Sequence, residues 1–327
     1  MRLGWVIGAG MALCAAAAQA ETLPVEGIYA AGADAPSQAR SIAIADFSGR
    51  GGERLAFAID AALRSAVIEG EPWFALTFTA PAFGDSYTYD GGVNAGSAAS
   101  GGPDAVMRGI AEVEWHDAES GTKEIEECVA RDERDKCTEK KTINVPCLAR
   151  HVTLRPEVRL VARDGTLLYA KGDTLTTSQR FCRDEERKPQ VAAMTEELAI
   201  SFAGAVRSDL APVYLAQDIR VLESREGMTK ADQAAFKAAL RLTKTDVAAA
   251  CRAFEALEAT NPRSITILFN IGLCHESDGR LEAAEARYAD VLALNPRKLE
   301  PRDGLARIAS GRRAQRQIDL HYPEDAR

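Results

Sequence analysis

The sequence is poor in the residues that usually carry chemistry. Its 327 residues include four histidines, His116, His151, His275 and His321. No Gly-x-Ser-x-Gly elbow accompanies them, so a nucleophilic triad has no starting point. No cysteine pair reads Cys-x-x-Cys, and the four cysteines from Cys128 to Cys182 are spaced too widely for a usual zinc site. Gly49, Gly51 and Gly52 precede a helical pattern. A dinucleotide fingerprint, however, needs glycine where Arg54 stands, and the Gly-Lys-Ser/Thr ending of a phosphate loop is missing. Asp132, Glu133 and Asp135 alternate with Arg131, Arg134 and Lys136, which would repel a calcium ion. Basic residues are in deficit, 40 Lys and Arg against 48 Asp and Glu, which is not the footprint of a nucleic-acid binder. These absences point to a protein that is not an enzyme, with no metal site and no cofactor.

What is present begins with an export signal. Arg2 supplies the positive end, residues 3–18 are apolar and uncharged, and Ala18-Gln19-Ala20 places small residues where a signal peptidase reads. The run is short and rich in Ala and Gly, below the roughly 20 strongly apolar residues of a spanning helix, and no later segment is apolar enough to span. Cys14 follows Leu13 rather than a small residue, which argues against lipidation. Cleavage after Ala20 leaves 39 basic against 48 acidic side chains, a net charge near −9. The expected location is the periplasm.

Six cysteines then remain: Cys128, Cys137, Cys147, Cys182, Cys251 and Cys274. An even number in an exported chain favours disulfides. Six cysteines allow 15 pairings. Cys128–Cys137 and Cys147–Cys182 are a first choice, the second because it ties the start of a hairpin to its end.

The mature chain divides by composition. Residues 21–40 are short of large apolar side chains and read as a flexible leader. Residues 41–222 form an α/β domain. Ser41 to Phe47 is a strand. Leu55, Ile59, Leu63 and Val67 make one helical stripe, and Trp73 to Phe78 is a second strand. Residues 85–102, dense in Gly, Ser and Asn, are a loop that orders, if at all, on binding. Ala105 to Trp115 enters another strand. Residues 117–147 are a polar, charged arm with too little apolar surface for its own core, stapled by cysteines. Residues 150–180 are a hairpin turning at Asp164-Gly165, with Leu160 opposite Tyr169 and Ala162 opposite Leu167. Pro156, without an amide donor, marks an edge or a bulge. A helix follows over 191–210 and a last strand over 213–222.

From Lys230 the chain is Ala-rich and helical. Asn261-Pro262 and Asn295-Pro296 lie 34 residues apart, the period of a tetratricopeptide repeat. Leu268, Ile271-Gly272, His275, Gly279, Ala284, Tyr288, Val291 and Pro296 fill that pattern in order. Gly272 and Ala284 are small where two helices meet. Ala250, Phe254, Leu257, Asn261 and Pro262 repeat its second half, and residues 298–310 offer a capping helix. Residues 230–312 are therefore expected to be a repeat domain, with 313–327 a tail. Cys251 and Cys274 fall on neighbouring helices, where a bond is plausible; two buried free thiols are the alternative.

The segment SIAIADFSGRGGERLAFAIDAALRSAV, then PDAVMRGIAEVE, a long hairpin and a helix ending in DLAPVYLAQDIRVL resembles the periplasmic α/β domain of the CsgG, LpoB and TolB amino-terminal type. The likeness covers 41–222 as a pattern of elements, and the charged arm departs from it. It implies a small mixed sheet packed by helices, work in envelope assembly or regulation through protein contacts, and no catalytic residues. The expected fold class is thus α+β followed by a helical repeat domain. The expected function is a protein-binding adaptor or assembly factor of the cell envelope, with Asn270, His275 and Arg287 as exposed or groove-facing contacts. The alternative is a ligand-binding protein or hydrolase with a site near Asp46 and the glycine turn.

Overall fold

A computed structural model describes residues 21–78 and 102–323, the side chains of Asp46 and Phe78 excepted. The expected export signal, most of the Gly/Ser-rich segment and the last four residues of the expected tail lie outside the described residues. In chain order the elements are β1 (Thr22–Tyr29), α1 (Asp34–Ser37), β2 (Ser41–Ser48), α2 (Gly52–Arg64), β3 (Val67–Ile68), β4 (Glu71–Pro72), β5 (Ala75–Phe78), β6 (Ala105–Arg131), β7 (Cys137–Ala162), β8 (Leu167–Gly172), β9 (Leu175–Cys182), α3 (Val191–Leu210) and β10 (Val213–Arg220). Five helices follow: α4 (Lys230–Leu242), α5 (Val247–Glu258), α6 (Ile265–Ser277), α7 (Leu281–Leu294) and α8 (Glu300–His321). The fold is α+β, and the chain forms two compact units. Among the described residues, one holds those up to Gly27 with Ala216–Ala309, the other those of Ile28–Leu215 and from Ser310 on.

The α/β unit is built on a six-stranded mixed sheet. Its order is β5-β2-β6-β7-β8, with β9 pairing β7 beyond β8. β2 runs parallel to β5 and β6, while β6, β7, β8 and β9 are antiparallel. One face is the core. Ile42, Ile44, Met107, Ala111, Val113, Val152, Leu154, Val158 and Leu160 are buried there with Leu55, Ile59 and Leu63 of α2 and Met194, Leu198, Phe202 and Val206 of α3. The alternate residues Arg108, Glu112, Glu114 and His116 are exposed, as the two-residue period of a half-buried sheet requires.

The glycine turn is explained by packing. Gly49 has φ +83°, and a Cβ there would lie 2.4 Å from the Ala111 carbonyl oxygen. The Gly51 amide donates to that same oxygen at 2.9 Å, so the turn is stitched to β6. The helical stripe ends earlier than its period suggests: α2 stops at Arg64, and Val67 lies exposed in β3.

Several expectations are corrected. Residues 21–40 are not a flexible leader: β1 occupies most of the first half, and Leu23 and Val25 are fully buried in the helical unit's core. Two large apolar side chains in alternation suffice for a strand when a core receives them. The charged arm is a strand pair, since β6 and β7 continue through it with bulges at Glu119/Thr122 and Cys128/Ala130. In the next hairpin Leu160 faces Tyr169, but Leu167 pairs Val161 rather than Ala162, because Gly165 (φ +90°) sits in a longer loop. Pro156 falls between the ends of β8 and β9, where its missing amide donor costs nothing on that side. The tail does not begin at 313, because α8 runs unbroken to His321.

Of the helices α4 to α7 in the helical unit, α4, α5 and α6 are capped by sequence-local means: Thr229 accepts from the Asp232 amide, Asp246 from Ala249 and Ser264 from Ile267. Their apolar faces converge on Phe236, Phe254, Leu268, Phe269, Ile271 and Tyr288. The Tyr288 ring sits between two glycines. A Cβ at Gly272 would lie 2.8 Å from it, and one at Gly304 2.4 Å. Those distances predict the consequence of adding side chains. Gly304→Val gains helix propensity of about 1 kcal/mol or less yet should lower stability by about 1–3 kcal/mol through overpacking. A denaturant melt showing an unchanged or raised midpoint would contradict the packing described.

Candidate interaction surfaces

The three residues expected to meet a partner are engaged by the fold itself. Asn270 is fully buried on α6. Its Oδ1 accepts from the Leu222 amide and its Nδ2 donates to the Leu222 carbonyl, both at 2.9 Å. It clamps the segment leading into α4, as a side-chain amide can when it mimics a strand partner, and it faces no groove. His275 is also buried, and its Nδ1 lacks a hydrogen-bond partner among the described residues. Arg287 is partly exposed but spans Glu258 at 2.6 Å and Asp290 at 3.5 Å. Beside them, Glu276 is 5% exposed and accepts two bonds from Arg307 and one from the Tyr288 hydroxyl, at 2.8, 2.7 and 2.6 Å. Such a buried charge persists only when paired, so this cluster holds α6, α7 and α8 together. Burial pushes the Tyr288 phenol well above its ordinary value.

The α/β unit carries the feature that stands apart from any core. β9 stops where Cys147 meets Cys182, and beyond that point β6 and β7 continue as a two-stranded ribbon. Ten residues on each side, Thr122–Arg131 and Cys137–Pro146, give it a length of about 30 Å. Cys147–Cys182 pins its base and Cys128–Cys137 its tip. A third bond joins Cys251 to Cys274 in the helical unit. An isolated two-stranded ribbon is marginal in water, and closing 35 residues between Cys147 and Cys182 contributes about 4 kcal/mol by chain entropy. Ile125, Ile143 and Val145 make a short apolar strip against the basal disulfide. Elsewhere the ribbon is charged and exposed, with Lys140 on Glu126 at 2.7 Å, and Val129 is half exposed near the tip.

The ribbon's root is fixed by Arg150. Directly opposite Asp117 in the ladder, it donates to both carboxylate oxygens at 2.8 and 2.7 Å and to the Pro189 carbonyl at 2.6 Å. Its guanidinium stacks on Trp115 and Phe181, 5.0 and 5.3 Å from the ring centroids. This bidentate bond holds the Asp117 carboxyl below the usual range. Nearby, an open cleft of ≈480 Å³ is lined by Arg50, Glu112, Val113, Glu114, Trp115 and Arg155. It borders the glycine turn, but its Glu114 is taken by Arg155 at 2.6 Å, and the side chain of Asp46 lies outside the described residues. Cys182, Asp184 and Glu185 come close enough to suggest a metal, yet Cys182 is disulfide-bonded and Lys123 faces both carboxylates.

Sequence reasoning missed the Arg150 anchor and the continuation of the ladder. The signal was there in the matched residues flanking the arm, Trp115 to Asp117 and Arg150 to Val152.

No family model matches the chain, and no curated protein matches it. Among solved structures it is similar to a PDZ domain protein from Parabacteroides distasonis, at 10% identity over 84% of this chain and 67% of that one, with a TM-score of 0.23. A likeness at that score carries no argument. The described residues contain three cysteine pairs at disulfide distance and no helix long and apolar enough to cross a membrane.

The buried histidine predicts an acid sensitivity. Burial, with the Arg280 and Arg287 charges, lowers the His275 pKa below its ordinary 6.5. The folded state therefore favours the neutral ring. The stability this contributes is full above pH 6.5 and is lost as pH falls from there through the folded value. His321, lowered by burial, acts in the same direction. Thermal melts should shift down between pH 7.5 and 5, and His275→Leu, which cannot take up a proton, should shift less. Equal shifts in both proteins would contradict the assignment.

Proposed function

We propose that the chain is an exported, non-catalytic protein-binding adaptor or assembly factor of the bacterial cell envelope, working in the periplasm. The observation that carries this reading is the ribbon of β6 and β7. It buries almost no core, yet it is held by two disulfides and the Arg150 anchor. Ordering a segment costs conformational entropy. Staples at both ends of a segment with no core offset that cost and favour a role in contact. Among the described residues, both long sides of the ribbon beyond Pro146 carry backbone groups without strand partners, which is the template that strand addition uses.

Three further observations support the reading. Disulfides persist in oxidising compartments, and six cysteines are paired here. In the helical unit α4 packs on α5, α5 on α6 and α6 on α7, with Gly272 small against Tyr288 and Ala284 buried, as a short tetratricopeptide array requires. The α/β unit has the mixed sheet and packing helices that the CsgG-type resemblance implies. With Asn270 and His275 buried, any partner of the helical unit would meet exposed positions such as Ala289 of α7 instead.

Photo-crosslinking in the native cell tests the proposal. A photoreactive residue at Val129 on the ribbon, and another at Ala289, should each be scored for adducts at native expression. The expected result is a discrete adduct with one envelope protein from at least Val129, lost when Cys128 and Cys137 are both changed to Ser. Only smears, or no adduct from either position, would contradict an adaptor role.

A further inference from the structure

His116 and His151 are two of the chain's four histidines, and the ladder sets them directly opposite each other on β6 and β7. Their rings lie on the solvent face of the sheet, one exposed and one partly so. The centroids are 5.0 Å apart and the ring planes are inclined by 17°. No hydrogen bond from another described residue engages either ring. Each neutral imidazole therefore keeps one nitrogen with a free lone pair.

We infer that His116 and His151 form a bidentate site for a divalent transition-metal ion, copper foremost. The spacing fits. A metal–nitrogen bond is about 2.0–2.1 Å and the ring centroid lies about 1.1 Å behind the nitrogen, so two imidazoles held at adjacent positions of one ion have centroids roughly 4.5–5.5 Å apart. Binding requires the rings to turn about their side-chain bonds and asks nothing of the backbone. The backbone is already fixed on both sides. Pairing runs without a bulge from Ala105↔Ala162 to Glu119↔Leu148, and β9 adds a third strand, with Ser178 opposite His151. A rigid sheet holding two ligands in place removes much of the entropy cost of chelation. Glu114 lies two residues from His116 on the same face, so the surroundings offer a carboxylate, at present paired with Arg155. Imidazole nitrogen suits copper, nickel and zinc, and the affinity of a given nitrogen site rises to Cu²⁺ and falls at Zn²⁺. Water would complete the coordination. The inference stands on the sheet's geometry and is independent of the protein-binding proposal.

The test uses the full mature chain with its disulfides intact, titrated by calorimetry at neutral pH with CuCl₂ and, separately, ZnCl₂. The expected result is one ion per chain, with Cu²⁺ bound more tightly than Zn²⁺. His116→Ala and His151→Ala should each weaken Cu²⁺ at least tenfold, and the double variant should weaken it little further, because a chelate is lost with either arm. Both positions are on the surface, so circular dichroism should be unchanged in the variants. Electron paramagnetic resonance of the Cu²⁺ complex should show two equivalent nitrogens, reduced to one or none in the single variants. Absence of saturable binding, a single variant within twofold of wild type, or a spectrum unaltered by either substitution would overturn the site.

Discussion

The antiparallel ladder between β6 and β7 is the constraint on which the α/β unit depends. Its inner half supplies two central strands of the sheet, so the core formed with α2 and α3 rests on its register. Its outer half has no core and is the ribbon. One run of backbone hydrogen bonds therefore serves two purposes, with Arg150 and the Cys147–Cys182 bond at the junction. A slip of β7 by one residue would turn Val152, Leu154 and Val158 toward water and His151 and Arg155 toward the helices. The bulges at Glu119/Thr122 and Cys128/Ala130 lie outside the core-bearing part, where irregular pairing exposes no apolar surface.

The helical unit obeys a different constraint, close approach. Tyr288 is accommodated because Gly272 and Gly304 have no side chains, and its hydroxyl then reaches Glu276, which Arg307 neutralises. The polar cluster follows from the packing. Without the two glycines the ring could not sit there, and the Glu276 charge would be left with fewer partners.

How much of this was legible follows from which forces act. The helices from Lys230 onward could be read because period, caps and small-residue spacing all agree in the sequence. The cysteine pairs were constrained by the strands and helices on which they fall. The ribbon was harder. Backbone ladders leave no side-chain signature when both faces are solvated, so residues 117–147 look like a polar arm even though they are strands. β1 was missed for a related reason, since Leu23 and Val25 are a short alternation whose receiving core comes from Val221, Met228 and the helices about 200 residues later. Asn270 and His275 were assigned to a groove because polar residues on a repeat helix usually face outward. Here the segment at Leu222 takes the bonds that Asn270 offers. The His116–His151 pair was invisible for want of a register, being 35 residues apart in sequence and adjacent only once the ladder is set.

The claim at the centre is that this ladder is continuous and rigid out to the Cys128–Cys137 staple. Native-state hydrogen exchange on the oxidised protein measures it directly. Alternate amides across Thr122–Arg131 and Cys137–Pro146 should exchange well below random-coil rates, and should lose that protection when the disulfides are reduced. Random-coil exchange throughout this segment, with the disulfides intact, would contradict the account.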